Sequence, residues 1–369
     1  LAEQHFKTLS EWAQVCDVRV ALVIGGQPTS ERKAVLDGVK ARRIHLVVGT
    51  HALLEGSVSF PSLGFVVVDE QHRFGVQQRA TLRGKGFDPD VLVMSATPIP
   101  RTLALTLYGD LDVSIMNELP SGRKPITTRL FREAEREKVY ELVRQETKAG
   151  RQVFMVYPLV SASERVDLKD ATSMALELQK DIFPDFRLGL LHGQMPPPEK
   201  EALMRKFRAR EMDILVATTV IEVGIDIPNA TAMVIEHPER FGLSQLHQLR
   251  GRVGRGSERS NCYLIVPAGI TRQARERLAI FSRVHDGFLL AEQDLRLRGP
   301  GDFFGLAQSG FPTFQVARFP RDLNILEAAR REAFALLEGD PRLKEPQHAH
   351  LPWLLDQVWS ERIKLVQVG

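Results

Sequence analysis

Cysteine is nearly absent. Cys16 and Cys262 are the two in 369 residues, and they lie far apart. That pattern excludes a disulfide framework and suits a reducing compartment. No apolar run approaches the ~20 residues that a helix needs to cross a bilayer, and no secretory leader opens the chain. No two histidines have metal-ligand spacing with a supporting cysteine, so none is assigned to a metal, and His348 and His350 are expected to face solvent. The most telling absence is a motif. No G-x-x-x-x-G-K-[ST] phosphate loop occurs, and the nearest stretch, Gly84-Lys85-Gly86, lacks both the upstream glycine and the hydroxyl.

What is present reads as a soluble globular chain of more than one domain. A hydrophobic content of 43% and a charged content of 26% are ordinary, and 369 residues exceed the size at which one core keeps growing. The net charge of +3 is too small to demand a polyanion partner. Its distribution says more. Arginines crowd residues 250–298, several of them in glycine-containing turns rather than at the spacing of a solvated helix face.

Short β-branched runs alternate with helix-compatible stretches. Strands are expected at 18–24, 44–48, 65–68, 91–94 and 113–116, each a continuous apolar run suited to a parallel sheet buried on both faces. A helix is expected over 30–41 with Ser30 as its N-cap. Leu119-Pro120-Ser121-Gly122-Arg123-Lys124-Pro125 reads as a linker. The rhythm then restarts, with strands at 153–157, 188–191, 214–217, 232–235 and 262–266, and a helix after Pro196-Pro197-Pro198 whose Leu203, Met204 and Phe207 share a face. Beyond Ala268 helices are expected at 271–284, 289–297 and 323–337, broken by Arg298-Gly299-Pro300-Gly301. The fold class is α/β, with two parallel-sheet domains in tandem followed by a helical hairpin and a C-terminal helix. The expected domains are residues 1–120, a linker at 121–128, 129–268, a hairpin at 269–320, and a helix and tail at 321–369. Leu1-Ala2-Glu3-Gln4-His5 reads as the interior of an element, so the start is expected to be a truncation point.

Four motifs carry chemistry. Asp69-Glu70-Gln71-His72 follows the run Phe65-Val66-Val67-Val68. A carboxylate at a strand end suits a magnesium ion held through its water shell, and a second beside it can orient and deprotonate an attacking water. Ser95-Ala96-Thr97 follows the next strand and can relay the state of the nucleotide to a second site. In Ala217-Thr218-Thr219-Val220-Ile221-Glu222-Val223-Gly224-Ile225-Asp226, the hydroxyls of Thr218 and Thr219 can hold phosphate and Asp226 can meet a ribose. In Gln248-Leu249-Arg250-Gly251-Arg252-Val253-Gly254-Arg255, glycines at 251 and 254 let the backbone turn so that Arg252 and Arg255 project together. A guanidinium fork matches a transferring phosphoryl group.

The order of these motifs resembles that of superfamily 2 helicases. Finer strings resemble the bacterial RecG branch-migration helicase family: Asp69-Glu70-Gln71-His72-Arg73-Phe74-Gly75, Ser95-Ala96-Thr97-Pro98-Ile99-Pro100-Arg101-Thr102, Arg240-Phe241-Gly242-Leu243-Ser244-Gln245-Leu246-His247-Gln248, Leu297-Arg298-Gly299-Pro300-Gly301 and Gln308-Ser309-Gly310. The resemblance runs to about Leu337. It implies RecA-like domains, ATP and Mg2+ as cofactors, and Asp69 and Glu70 as the magnesium and water residues. It places Gln248, Gly224, Asp226, Arg252 and Arg255 on the nucleotide, with the two arginines reaching the γ-phosphate. It assigns His72, Ser95, Thr97, Thr218 and Thr219 to coupling with DNA, Gly49-Thr50 to a loop touching the DNA backbone, and Arg298 and Gln308 to a hairpin that drives translocation.

The expected partner is branched double-stranded DNA, forks and Holliday junctions, with no membrane. The protein is expected to be a monomer in the bacterial cytoplasm, associated with the nucleoid, and to carry a wedge domain upstream. For want of a phosphate loop these residues alone are expected to be ATPase-deficient. Two alternatives remain open: a non-catalytic DNA-binding module derived from such a motor, and a translocase like the transcription-repair coupling factor.

Overall fold

The computed structural model describes residues 1–70, 85–86, 89–96, 112–116, 118, 122–158, 172–218, 227–298 and 322–357. They divide into two units, Leu1–Thr97 with Asn324–Gly369, and Pro98–Gly305. Among the described residues no helix is long and apolar enough to cross a membrane.

The first unit holds two parallel strand pairs. β1 (Val20–Val23) pairs with β2 (Leu46–Gly49), and β3 (Phe65–Val68) pairs with β4 (Asp90–Val93). α1 (Ala2–Ala13) packs on β1 and β2, and α2 (Thr29–Lys40) packs on β1. α2 starts before Ser30. Pro28 caps it with φ −53, close to the angle its ring imposes, so the chain enters the helix at Thr29 and Ser30 lies within the first turn. The expectation of strands buried on both faces fails in β3, where Val66 and Val68 are buried but Phe65 is 58% exposed. Residues 113–116 form no strand, and Met116 is 90% exposed.

The second unit is built on a six-stranded parallel sheet. Its strands are β5 (Thr127–Arg132), β6 (Gln152–Val156), β7 (Leu188–Leu191), β8 (Ile214–Ala217), β9 (Ala230–Glu236) and β10 (Asn261–Val266), in the order β5-β10-β9-β6-β8-β7. β6, β8 and β9 are buried throughout, as the apolar runs require. Alternate residues feed two cores. Val153, Met155 and Val234 meet α3 (Arg136–Lys148) through Val139, Tyr140 and Val143. Phe154, Val156 and Ile235 meet α4 (Pro197–Arg208) through Met204 and Phe207. α4 opens on Pro197 because a first-turn N–H would have no partner anyway. The second core also takes Leu246 of α5 (Leu243–Arg250), Leu278 and Phe281 of α6 (Arg272–Arg283), and Leu290 of α7 (Gly287–Arg298). β5 falls where the sequence reads as a linker and a polar stretch. It is an edge strand with mostly exposed residues, so it carries no apolar run.

α8 (Leu323–Gly339) ends at Asp340, whose carboxylate accepts the N–H groups of Lys344 and Glu345 at 3.0 and 2.8 Å. His348 Nδ1 lies 3.1 Å from the same carboxylate and is 20% exposed, so it does not face solvent as expected. Asp340, Glu345 and His348 are the group among the described residues with metal-type donors close together. The carboxylate is already occupied in closing its own loop.

Candidate functional site

The acidic pair sits where β3 stops. Asp69 and Glu70 follow Val68, and Ser95 lies two residues after Val93 at the same end of the adjacent strand. Ligands of open α/β sheets bind at such carboxyl ends. Thr50 likewise follows Gly49 at the end of β2, and its N–H donates to the Val23 carbonyl at 3.2 Å. Gly49 has to be glycine, since a Cβ there would clash with the Val23 backbone carbonyl oxygen. His72 and Thr97 lie outside the described residues.

Asp69 is engaged at both oxygens. Oδ1 accepts the Glu70 N–H at 2.8 Å, and Oδ2 lies 3.0 Å from His5 Nε2 in α1. The short-range bond accompanies a left-handed residue: Glu70 has φ +54, which costs ~1–3 kcal/mol for a residue with a side chain. Successive side chains of an extended strand alternate between faces, and the left-handed turn breaks that alternation at the acidic pair. The donor set fits the implied magnesium: hard carboxylate oxygens at a strand end, with 31% of the Asp69 side chain open to solvent. His5 is a site residue that the sequence did not reveal, being 64 positions from its partner.

In the second unit Thr218 directly follows β8, and its N–H donates to the Leu191 carbonyl at 3.1 Å. Among the described residues its hydroxyl is buried without a hydrogen-bond partner, and so is Nδ1 of His192 at the end of the neighbouring β7. Burial and the Lys200 charge hold the His192 pKa below its ordinary value. Both favour the neutral imidazole. Two unsatisfied buried polar atoms at adjacent strand ends fit oxygens of a phosphate ligand. Thr219, Gly224 and Asp226 fall outside the described residues.

The arginine motif begins at the end of α5. Gln248 is half-buried on that helix. Arg250, its last residue, is buried. Its guanidinium donates to the carbonyls of Phe281, Val284 and His285 at 3.1, 3.0 and 3.3 Å, and lies 4.4 Å from the Phe281 ring centroid. These carbonyls form the turn between α6 and α7, where Asp286 Oδ1 caps α7 by accepting the N–H groups of Phe288 and Leu289. Burial, followed by the nearby Arg250 charge, pulls His247 down to about 4. After α5, Gly251 stays right-handed at φ −66, so only Gly254, at φ +74, supplies the special turn expected of both glycines. Val253 between the arginines is fully buried, Arg252 is half-buried and Arg255 is exposed, with Nε donating to the Gly251 carbonyl at 3.2 Å. Arg298 closes α7. Gln308 lies outside the described residues.

Comparison with known proteins is concordant. Residues 1–106 match the DEAD/DEAH box helicase family, 134–257 the helicase conserved C-terminal domain, and 284–367 the C-terminal part of domain 3 of ATP-dependent DNA helicase RecG. An ATP-dependent DNA helicase RecG of Aquifex aeolicus is 51% identical over 99% of this chain and 46% of its own length. That of Thermotoga maritima is 48% identical over 100% of this chain and 45% of its own. The solved structure of RecG bound to a three-way DNA junction shares 47% identity at a TM-score of 0.70, covering 89% of this chain and 42% of that one. The chain thus spans about half the length of the curated relatives it matches.

Proposed function

The chain belongs to the ATP-dependent DNA helicase RecG family, and on that premise we propose that it is the motor region of an ATP-driven translocase on double-stranded DNA. The substrate is branched duplex DNA, stalled forks and Holliday junctions, remodelled in repair and recombination in a bacterial cytoplasm. Residues 1–120 and 129–268 form the two motor domains, joined by 121–128, and 269–320 form the translocation hairpin.

The observation that carries this reading is the acidic pair: two carboxylates at the end of β3, one of them tied at both oxygens and followed by a left-handed residue. Asp69 would hold a hydrated magnesium ion, which when bound neutralises charge on the phosphates. Glu70 orients the attacking water and takes its proton. Arg252 and Arg255 stabilise the charge on the transferring phosphoryl group, and Thr218 with Ser95 and Thr50 links that event to the DNA backbone. By themselves these residues lack a lysine and backbone cradle for the β- and γ-phosphates, so we expect no robust turnover from them alone.

The test is ATPase activity of the intact gene product with and without branched duplex DNA. DNA-stimulated hydrolysis that drops at least ~100-fold in Glu70→Gln, with nucleotide binding retained, supports the reading. Salt-sensitive DNA binding that ignores nucleotide, without hydrolysis, would instead leave a binding module.

A further inference from the structure

The loop bearing Arg252 and Arg255 is held from a side that phosphate binding does not require. Segment 122–127, just before and into β5, runs beside residues 254–260. The Thr127 N–H donates to the Ser260 carbonyl at 3.0 Å. Ile126 fills the space over Gly254, where a Cβ would stand 2.9 Å from Ile126 Cγ1. Arg123 Nε donates to the Gly254 carbonyl at 3.0 Å, across 131 positions of sequence.

That carbonyl belongs to the peptide plane leading into Arg255. A peptide unit is rigid, so holding its oxygen sets ψ of Gly254 and φ of Arg255 together. Glycine tolerates the widest range of such angles, and Gly254 sits at φ +74. Val253 is anchored in the core. The peptide between that anchor and Arg255 follows a glycine, the most adjustable backbone position of the loop, and the Arg123 bond fixes its oxygen. We propose that Arg123 is a positioning residue for the arginine loop, acting through the Gly254 carbonyl to set the direction of Arg255. The proposal rests on the reading of Arg252 and Arg255 as phosphate contacts. In this role Arg123 acts on the backbone and not on the nucleotide, and it makes the segment before β5 part of the loop's geometry.

The bond runs through Nε, which suggests a sharp test. Glutamine places an amide nitrogen the same number of bonds from Cα as arginine Nε, so Arg123→Gln keeps the donor and removes the charge. Arg123→Met keeps the apolar stem and removes the donor. DNA-stimulated ATPase is measured on the intact gene product, below the melting midpoints of both variants. Since a misplacement of ~1 Å costs on the order of 100-fold, Arg123→Met is expected to lower kcat by ~10–100-fold, with the KM for ATP within about threefold of wild type. Arg123→Gln is expected to keep kcat within about threefold, and to leave the salt dependence of DNA binding unchanged because no phosphate contact is lost. Wild-type kcat in Arg123→Met overturns the proposal. So does an Arg123→Gln variant as defective as Arg123→Met, because the charge would then be the active feature. Arg252→Ala and Arg255→Ala in the same assay separate the two readings. If those retain wild-type rates, the phosphate role of the arginines fails; if they lose activity while Arg123→Met does not, only the positioning role fails.

Discussion

His5 Nε2 and Asp69 Oδ2 stand 3.0 Å apart, joining α1 to the carboxylate that follows β3. The other oxygen of Asp69 is taken by the Glu70 N–H, so the rotation of this carboxylate is set from two sides. A group that orients a metal-holding carboxylate typically changes metal affinity or activity by ~10–100-fold when removed. His5→Ala is therefore expected to lower DNA-stimulated ATPase about 10-fold and to raise the magnesium concentration needed for half-maximal rate. A magnesium titration of the variant checks it, and an unchanged curve would sink the idea.

Arg250 ties α5 to the turn between α6 and α7 through three carbonyls. Arg250→Met keeps much of the volume but leaves those acceptors without their charged donor. Each buried polar group left unpaired costs ~1–3 kcal/mol, so a loss of about 3 kcal/mol or more is expected. Urea unfolding measures it, and a midpoint equal to wild type contradicts it.

Gly254→Ala places a Cβ against Ile126 on a residue at φ +74. The left-handed conformation alone costs a side-chain-bearing residue ~1–2 kcal/mol. Lower stability and a lower kcat are expected together, because relieving the strain shifts the loop that carries Arg255. Full activity with lowered stability would separate the glycine from the catalytic geometry.

Glu236 ends β9, is 1% exposed, and accepts a bond from Arg136 at 2.6 Å. Burial pushes its pKa up to about 7, against the opposing pull of Arg136. The folded state thus holds a proton that the unfolded chain releases near its ordinary value. Stability is greatest below the unfolded pKa and falls as pH rises through about 7. Glu236→Gln is expected to flatten that fall between roughly pH 5 and 8. Unfolding midpoints at the two ends of the window decide it; an identical slope in the variant would mean that another group titrates.

Much of the sheet was legible in the residues. β8 occupies the bounds of its apolar run because a strand buried on both faces has to be apolar at every position; β3 and β7 keep the bounds of theirs although only alternate residues are buried. The strand-end rule also placed Asp69 and Ser95 on one edge. β5 was not legible: an edge strand keeps polar, exposed residues and is recognised only by its ladder with β10. Ser30 was misread because a proline two residues earlier captured the cap.

The sequence by itself determined the kind and order of the elements and the chemistry of the motifs, since periodicity, turn residues and strand-end carboxylates are short-range properties. Tertiary structure alone decided which groups hold the motif residues in place. His5 reaches Asp69 across 64 positions, Arg250 reaches Phe281 across 31, and Arg123 reaches Gly254 across 131. In two of these three the acceptor is a backbone carbonyl. Every residue carries that group, so no residue type in the sequence can mark it as a partner. Only the folded path of the chain selects which carbonyl an arginine meets.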